Sequence, residues 1–193
     1  MSWIVIAVVV LAAFGPVLWI LPSRKDRRLA ALRAKAREEG LVVDLRSLPK
    51  RNAAAHERVS AAGQVRDPVV EVAAYTQGLE RKLRNLPVWR LQRGEEEGET
   101  GNAPREGWIY LDRPTGKAHV AAMLELADPL LAALPADVLA LEVAPRSLLI
   151  YWLEGREAGP EQVGELAARL REFGARLLAL DERISARSED EDS

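Results

Sequence analysis

Between positions 3 and 21 the chain carries no charged residue. At the helical rise this run is about 28 Å long, enough for a hydrocarbon core of roughly 30 Å. Trp3 and Trp19 stand near its ends, where indole rings favour the headgroup boundary. The pattern predicts one N-terminal transmembrane helix over residues 1–22. Gly15 and Pro16 inside it fit the bends that such helices tolerate. Past position 22 the period changes. Leu29, Leu32 and Ala36 recur at helical spacing among basic residues, Ser23 and Asp26 have the spacing of a capping pair, and Gly40 is placed to stop the helix. A basic juxtamembrane helix over residues 23–40 follows. Its apolar stripe is thin, which favours a place on anionic lipid or as a spacer over docking on a core.

The rest alternates between strand and helix patterns. Apolar or β-branched runs at 41–45, 69–75, 88–93, 108–111, 138–143 and 148–153 predict six strands. The last two are apolar on both faces and belong at the centre of a sheet, joined by a turn at 144–147. Helical periodicity marks 117–134, with a break and restart at Asp128-Pro129, and again the stretch from Gly159 to about 181. Leu79, Leu83 and Leu86 suit a short helical turn. Residues 49–68 read as an exposed connector and 94–107 as a mobile hairpin loop, since neither has much to bury. The expected fold is α+β: the transmembrane helix, the juxtamembrane helix, and a mostly antiparallel sheet with two amphipathic helices in a domain over 41–182. A charged, disordered tail closes the chain at 183–193.

Charge sets the orientation. Arg24, Lys25, Arg27, Arg28, Arg33, Lys35 and Arg37 follow the apolar run against Asp26 alone. No basic residue precedes the run and no small-residue cleavage site follows it, so an uncleaved anchor is expected rather than a secretory signal. The positive-inside bias then places the N-terminus outside and residues 22–193 in the cytoplasm, at a bacterial inner membrane. Trp3, Trp19, Arg24, Lys25, Arg27 and Arg28 are the expected membrane-anchoring residues. The absence of cysteine excludes disulfides and thiolate metal sites, and a net charge of −2 excludes a broadly basic nucleic-acid trap.

Chemistry leaves little trace. His56 and His119 are far apart in sequence, with no cysteine to complete a metal set, and no serine is spaced to suggest a nucleophile–base pair. Glu142 and Glu154 stand in apolar strands, but a hairpin between those strands would hold them roughly 13 Å apart. Glu142 is expected to pair with an arginine, and Glu154 to end its strand at the surface. Trp89, Trp108 and Trp152, with Tyr75, Tyr110 and Tyr151, read as core and cross-strand packing rather than a base-stacking platform. No cofactor, metal or catalytic residue is assigned.

The segment Leu21-Pro22-Ser23-Arg24-Lys25-Asp26-Arg27-Arg28 resembles the exit segment of the YajC-type accessory subunit of the Sec preprotein translocase. The resemblance covers about the first fifth of the chain, and the glycine signature of that family is missing where Leu41-Val42-Val43-Asp44 stands. It implies an accessory role beside a translocon, with the Sec translocon as partner. The resulting expectation is a single-span protein in contact with membrane lipid. It would present a non-catalytic domain to a protein partner and bind no nucleic acid. The alternative is a tethered enzyme or small-ligand sensor, which would need a deep pocket at Glu142, His119 or Arg146.

Overall fold

The computed structural model describes residues 3, 23–50, 53–59, 63–94, 105–114 and 118–191. In chain order the elements are α1 (Arg24–Glu38), β1 (Val42–Pro49), a short 3-10 turn (Ala55–Arg58), β2 (Val69–Gly78), β3 (Trp89–Arg93), β4 (Trp108–Asp112), α2 (Val120–Ala133), β5 (Val138–Ala144), β6 (Ser147–Trp152) and α3 (Pro160–Glu191). The six strands form one antiparallel sheet in the order β1-β2-β6-β5-β3-β4. The apolar runs at 138–143 and 148–153 become β5 and β6, inside the sheet, because each needs cover on both faces.

No helix among the described residues is long and apolar enough to cross a membrane. This corrects the expected N-terminal transmembrane helix, and with it the single-pass inner-membrane placement and its orientation. Among the described residues, each helix falls short in length or in apolar character. α1 and α2 have 15 and 14 residues, short of the roughly 20 apolar residues a span needs. The longer α3, with 32 residues, carries charge on almost every turn. Trp3 is helical and 84% exposed. Trp19 and the rest of 4–22 lie outside the described residues.

α1 is not a spacer either. Ser23 and Asp26 close a reciprocal capping box at its start. Gly40, at φ +78°, turns the chain so that the Leu41 amide reaches back to the Ala36 carbonyl. Leu32 and Ala36 are fully buried and join the same core as Val163, Leu166, Ala167 and Leu170 of α3. Burying a leucine side chain contributes about 1.5–3 kcal/mol. Here even a narrow stripe suffices, because it meets a wide apolar face.

All three helices cover one face of the sheet. That core includes Tyr75, Trp89, Trp108, Leu141, Ile150 and Trp152 from the strands, and Met123, Leu130 and Phe173 from α2 and α3. The indoles are thus interior packing, as their strand positions imply. α2 runs unbroken through Pro129, which is exposed along with Glu125, so the carbonyl freed by the missing proline N–H faces water. α3 also continues to Glu191, through residues expected to form a disordered tail. Residues 79–88 form no helical turn. Leu83 and Leu86 are buried in a bent, non-helical loop held by fully buried Asp181, which accepts from the Arg84 and Asn85 amides at 3.0 and 2.8 Å and from Arg81 at 2.9 Å. Gly174 lets α3 approach this loop, since a Cβ there would lie 2.9 Å from Leu79 Cδ2.

The opposite face has a smaller core of its own: Leu48, Val72, Ala74, Ala140, Leu149 and Tyr151. β6 pairs with β2 only from Ala73 onward, so residues 69–72 and their β1 partners overhang. This hairpin arm coils over the second face until Gln92 Nε2 of β3 donates to the Pro49 carbonyl at 2.8 Å. In a flat sheet, with three strands between them, β1 and β3 would be roughly 19 Å apart. Coiling brings them together and seals the second core.

Candidate interaction surface

The two glutamates that stand out in the sequence lie on opposite faces. Glu142, on β5, accepts from the Tyr151 hydroxyl and faces Arg90 Nε at 3.5 Å. Arg90 also bonds Asp112 on β4, at 2.8 Å from Nε, and lies 5.9 Å from the Tyr151 ring centroid. The expected Glu142–arginine pair is present. Tyr151 pairs with Ala140, which makes Glu142 its diagonal neighbour on the same face. Burial pushes the Tyr151 hydroxyl above its ordinary range, and its bond to Glu142 pushes the same way. Every charge in this group is met by another, and no described hollow opens onto it.

Glu154 is not at the surface, which corrects the expectation. Only 7% of it is exposed, and its backbone is left-handed at φ +52°. The Tyr75 hydroxyl donates to Glu154 Oε1 at 2.8 Å, and Arg33 of α1 reaches Oε2 at 3.4 Å. Arg28 donates to the backbone carbonyls of Glu154, at 3.1 Å, and of Gly155. The strained turn after β6 therefore presents both a carboxylate and carbonyls to α1. Tyr75 is held far above the usual phenol range, first by burial and then by its bond to Glu154. Arg28, expected at a membrane surface, is instead a clasp between α1 and β6. Arg24, Lys25 and Arg27 sit exposed in the first turns of α1.

The histidines do not meet a partner set. His56 lies exposed in the 3-10 turn, and His119 precedes α2 in a left-handed conformation at φ +62°. No group of three acidic, histidine or cysteine residues could hold a metal ion among the described residues. Arg146 occupies the exposed β5–β6 turn, and its carbonyl accepts from the Leu79 amide. A hollow of about 520 Å³ between His119 and the end of α3 is lined by Leu180, Arg183 and Arg187. Another of about 560 Å³ lies between Leu79 and α3 around Leu178. Both are open surface grooves; the first also carries the Ser188 hydroxyl, which donates to the Ser185 carbonyl at 2.8 Å, and the second holds no histidine.

What remains open lies at the two edges of the sheet, β1 and β4, of which β1 is the more exposed. β1 is a terminal strand, with β2 on one side and no strand on the other among the described residues. From Val42 to Ser47 all but Val43 are exposed, including Val42 at 59% and Leu45 at 70%. Leu45 pairs with Ala73, so it points to the helical side. There the arm extends beyond the helices, and Val69, 58% exposed, shares its convex surface. Asp44 and Arg46 flank Leu45 on the other face. Asp44 has no ionic partner among the described residues, and Arg46 reaches only the Tyr151 hydroxyl, at 3.5 Å. Alternation alone does not find this surface, because exposure of Leu45 depends on where the helices stop.

Comparison of the chain with protein-family models, with curated proteins and with solved structures finds no match.

Proposed function

We propose that this chain is a non-catalytic protein-interaction module that takes an added strand from another polypeptide onto the β1 edge. The observation that carries this reading is an edge strand with its apolar Leu45 and Val42 turned outward, on a sheet whose two faces are already filled. Strand addition satisfies the free N–H and C=O groups of an edge, and the side chains flanking them set specificity. Edges left apolar and unguarded invite pairing, which is why proteins usually blunt them. Here Asp44 and Arg46 guard against random pairing while leaving apolar contact at Leu45.

The enzyme alternative loses ground on chemistry. Glu142 and Glu154 each face an arginine and accept from a tyrosine hydroxyl, and they lie on opposite faces of the sheet, so they form no acid–base pair. A benzophenone amino acid placed at position 45 in the native host tests the proposal, with position 187 on α3 as control. A discrete polypeptide adduct from position 45 alone is the expected result. No adduct at 45, or equal labelling from both positions, would sink it.

A further inference from the structure

We infer that the strand added at β1 is β1 of a second copy of this chain, antiparallel and centred on Leu45; this rests on the strand-addition reading above. Two identical edges paired about a two-fold axis normal to the sheet keep like faces together. Opposed residues then share a face, so the pair must be centred on a residue rather than between two. Centring on Asp44 would set that carboxylate against its own copy, and centring on Arg46 would do the same for the guanidinium. Centring on Val43 or Ser47 would oppose Asp44 to Val42 or Arg46 to Leu48. Only the register centred on Leu45 sets Asp44 against Arg46 of the other copy, twice by symmetry.

Both side chains are exposed on one face of β1, and each lacks an ionic partner in its own chain among the described residues. Opposed unlike charges across strands stabilise pairing, and opposed like charges destabilise it. On the other face the same register brings Leu45 against Leu45 and Val43 against Ser47. The most exposed leucine of the sheet is thereby covered. Leu48 is fully buried and Pro49 is tied to Gln92, so the coiled end of the arm limits pairing to the stretch before them. The product is a continuous sheet of two copies with both helical layers on the same side.

The chain has no cysteine, so single substitutions read the register directly. Leu45→Cys places two thiols directly opposite, at a Cα separation of about 4.5–5.5 Å that a disulfide accepts. Ser47→Cys places them four residues apart along the strands, about 13 Å, which a disulfide cannot bridge. Mild oxidation of the full chain should therefore cross-link Leu45→Cys to itself but not Ser47→Cys. A mixture of Val43→Cys and Ser47→Cys should give the heterodimer. Asp44→Arg should raise the dimer dissociation constant about tenfold or more, and the double exchange Asp44→Arg with Arg46→Asp should restore it. Equal cross-linking at 45 and 47, or a monomer at every concentration by sedimentation, overturns self-pairing. A disulfide between Leu45→Cys and a different polypeptide, in oxidised extracts of the native host, would also overturn it while leaving strand addition standing. Failure of every adduct removes both readings.

Discussion

Buried tyrosines, Tyr75 first among them, shape how the stability of this chain responds to alkaline pH. Tyr75 is buried and its hydroxyl is held far above the usual range, and Tyr110 and Tyr151 shift the same way, each chiefly through burial. In the unfolded chain all three ionise near pH 10. The folded state then binds more protons than the unfolded state, so stability is full below about pH 10 and falls as pH rises beyond it. Denaturant titrations between neutral and strongly alkaline pH should show this fall, and Tyr75→Phe should flatten it. An unchanged slope in that variant would mean that Tyr75 ionises as freely in the folded protein as in the unfolded one. Tyr75 and Glu154 are 79 positions apart, and nothing in their local patterns pairs them. The Glu142–Arg90 contact was legible as a type of interaction, since a lone acid in an apolar strand needs a cation, but its partner was not.

At the scale of elements, α1 tests whether the basic segment belongs to the folded domain. Leu32 is fully buried against α3, and α1 is further held by Arg28, by Arg33, and by the Glu39–Arg171 ion pair at 3.0 Å. Lys35 and Arg171 hold the Glu39 carboxyl below its ordinary range, Lys35 more strongly. Leu32→Ala should cost about 2–5 kcal/mol in equilibrium unfolding. A change below about 0.5 kcal/mol, usual for surface substitutions, would return α1 to the role of a detached spacer. The helix itself was readable: the capping box, the leucine spacing and Gly40 are local signals that the structure keeps. Its docking was not, because a three-residue stripe looks thin until the apolar face of α3 lies across it. The loop after β2 failed as a helical turn for the opposite reason. Its leucines are spaced for a helix, but the Asp181 carboxylate takes the Arg84 and Asn85 amides and holds the chain in a bend instead.

For the whole molecule, a shared core predicts shared unfolding. α1, the sheet, α2 and α3 contribute to one contiguous cluster, so no described helix has an interior of its own. Denaturant melts followed by tryptophan emission, to which buried Trp89, Trp108 and Trp152 contribute along with Trp3 and Trp19, and by far-ultraviolet circular dichroism should coincide in a single transition. An early loss of helical signal would show that α1 or the end of α3 melts apart from the sheet. The six strands, their approximate limits and the central position of β5 and β6 were determined by the sequence alone, because period and apolar run length act within a few residues. Only the tertiary structure decided that the sheet coils until Gln92 meets Pro49, that α1 joins the core, and that the tyrosine–glutamate pairs fall on opposite faces. It also decided that Leu45 stays uncovered. Each of these depends on residues distant in sequence meeting in space. A hydrophobic pattern specifies which side of an element must be buried, but not what will cover it.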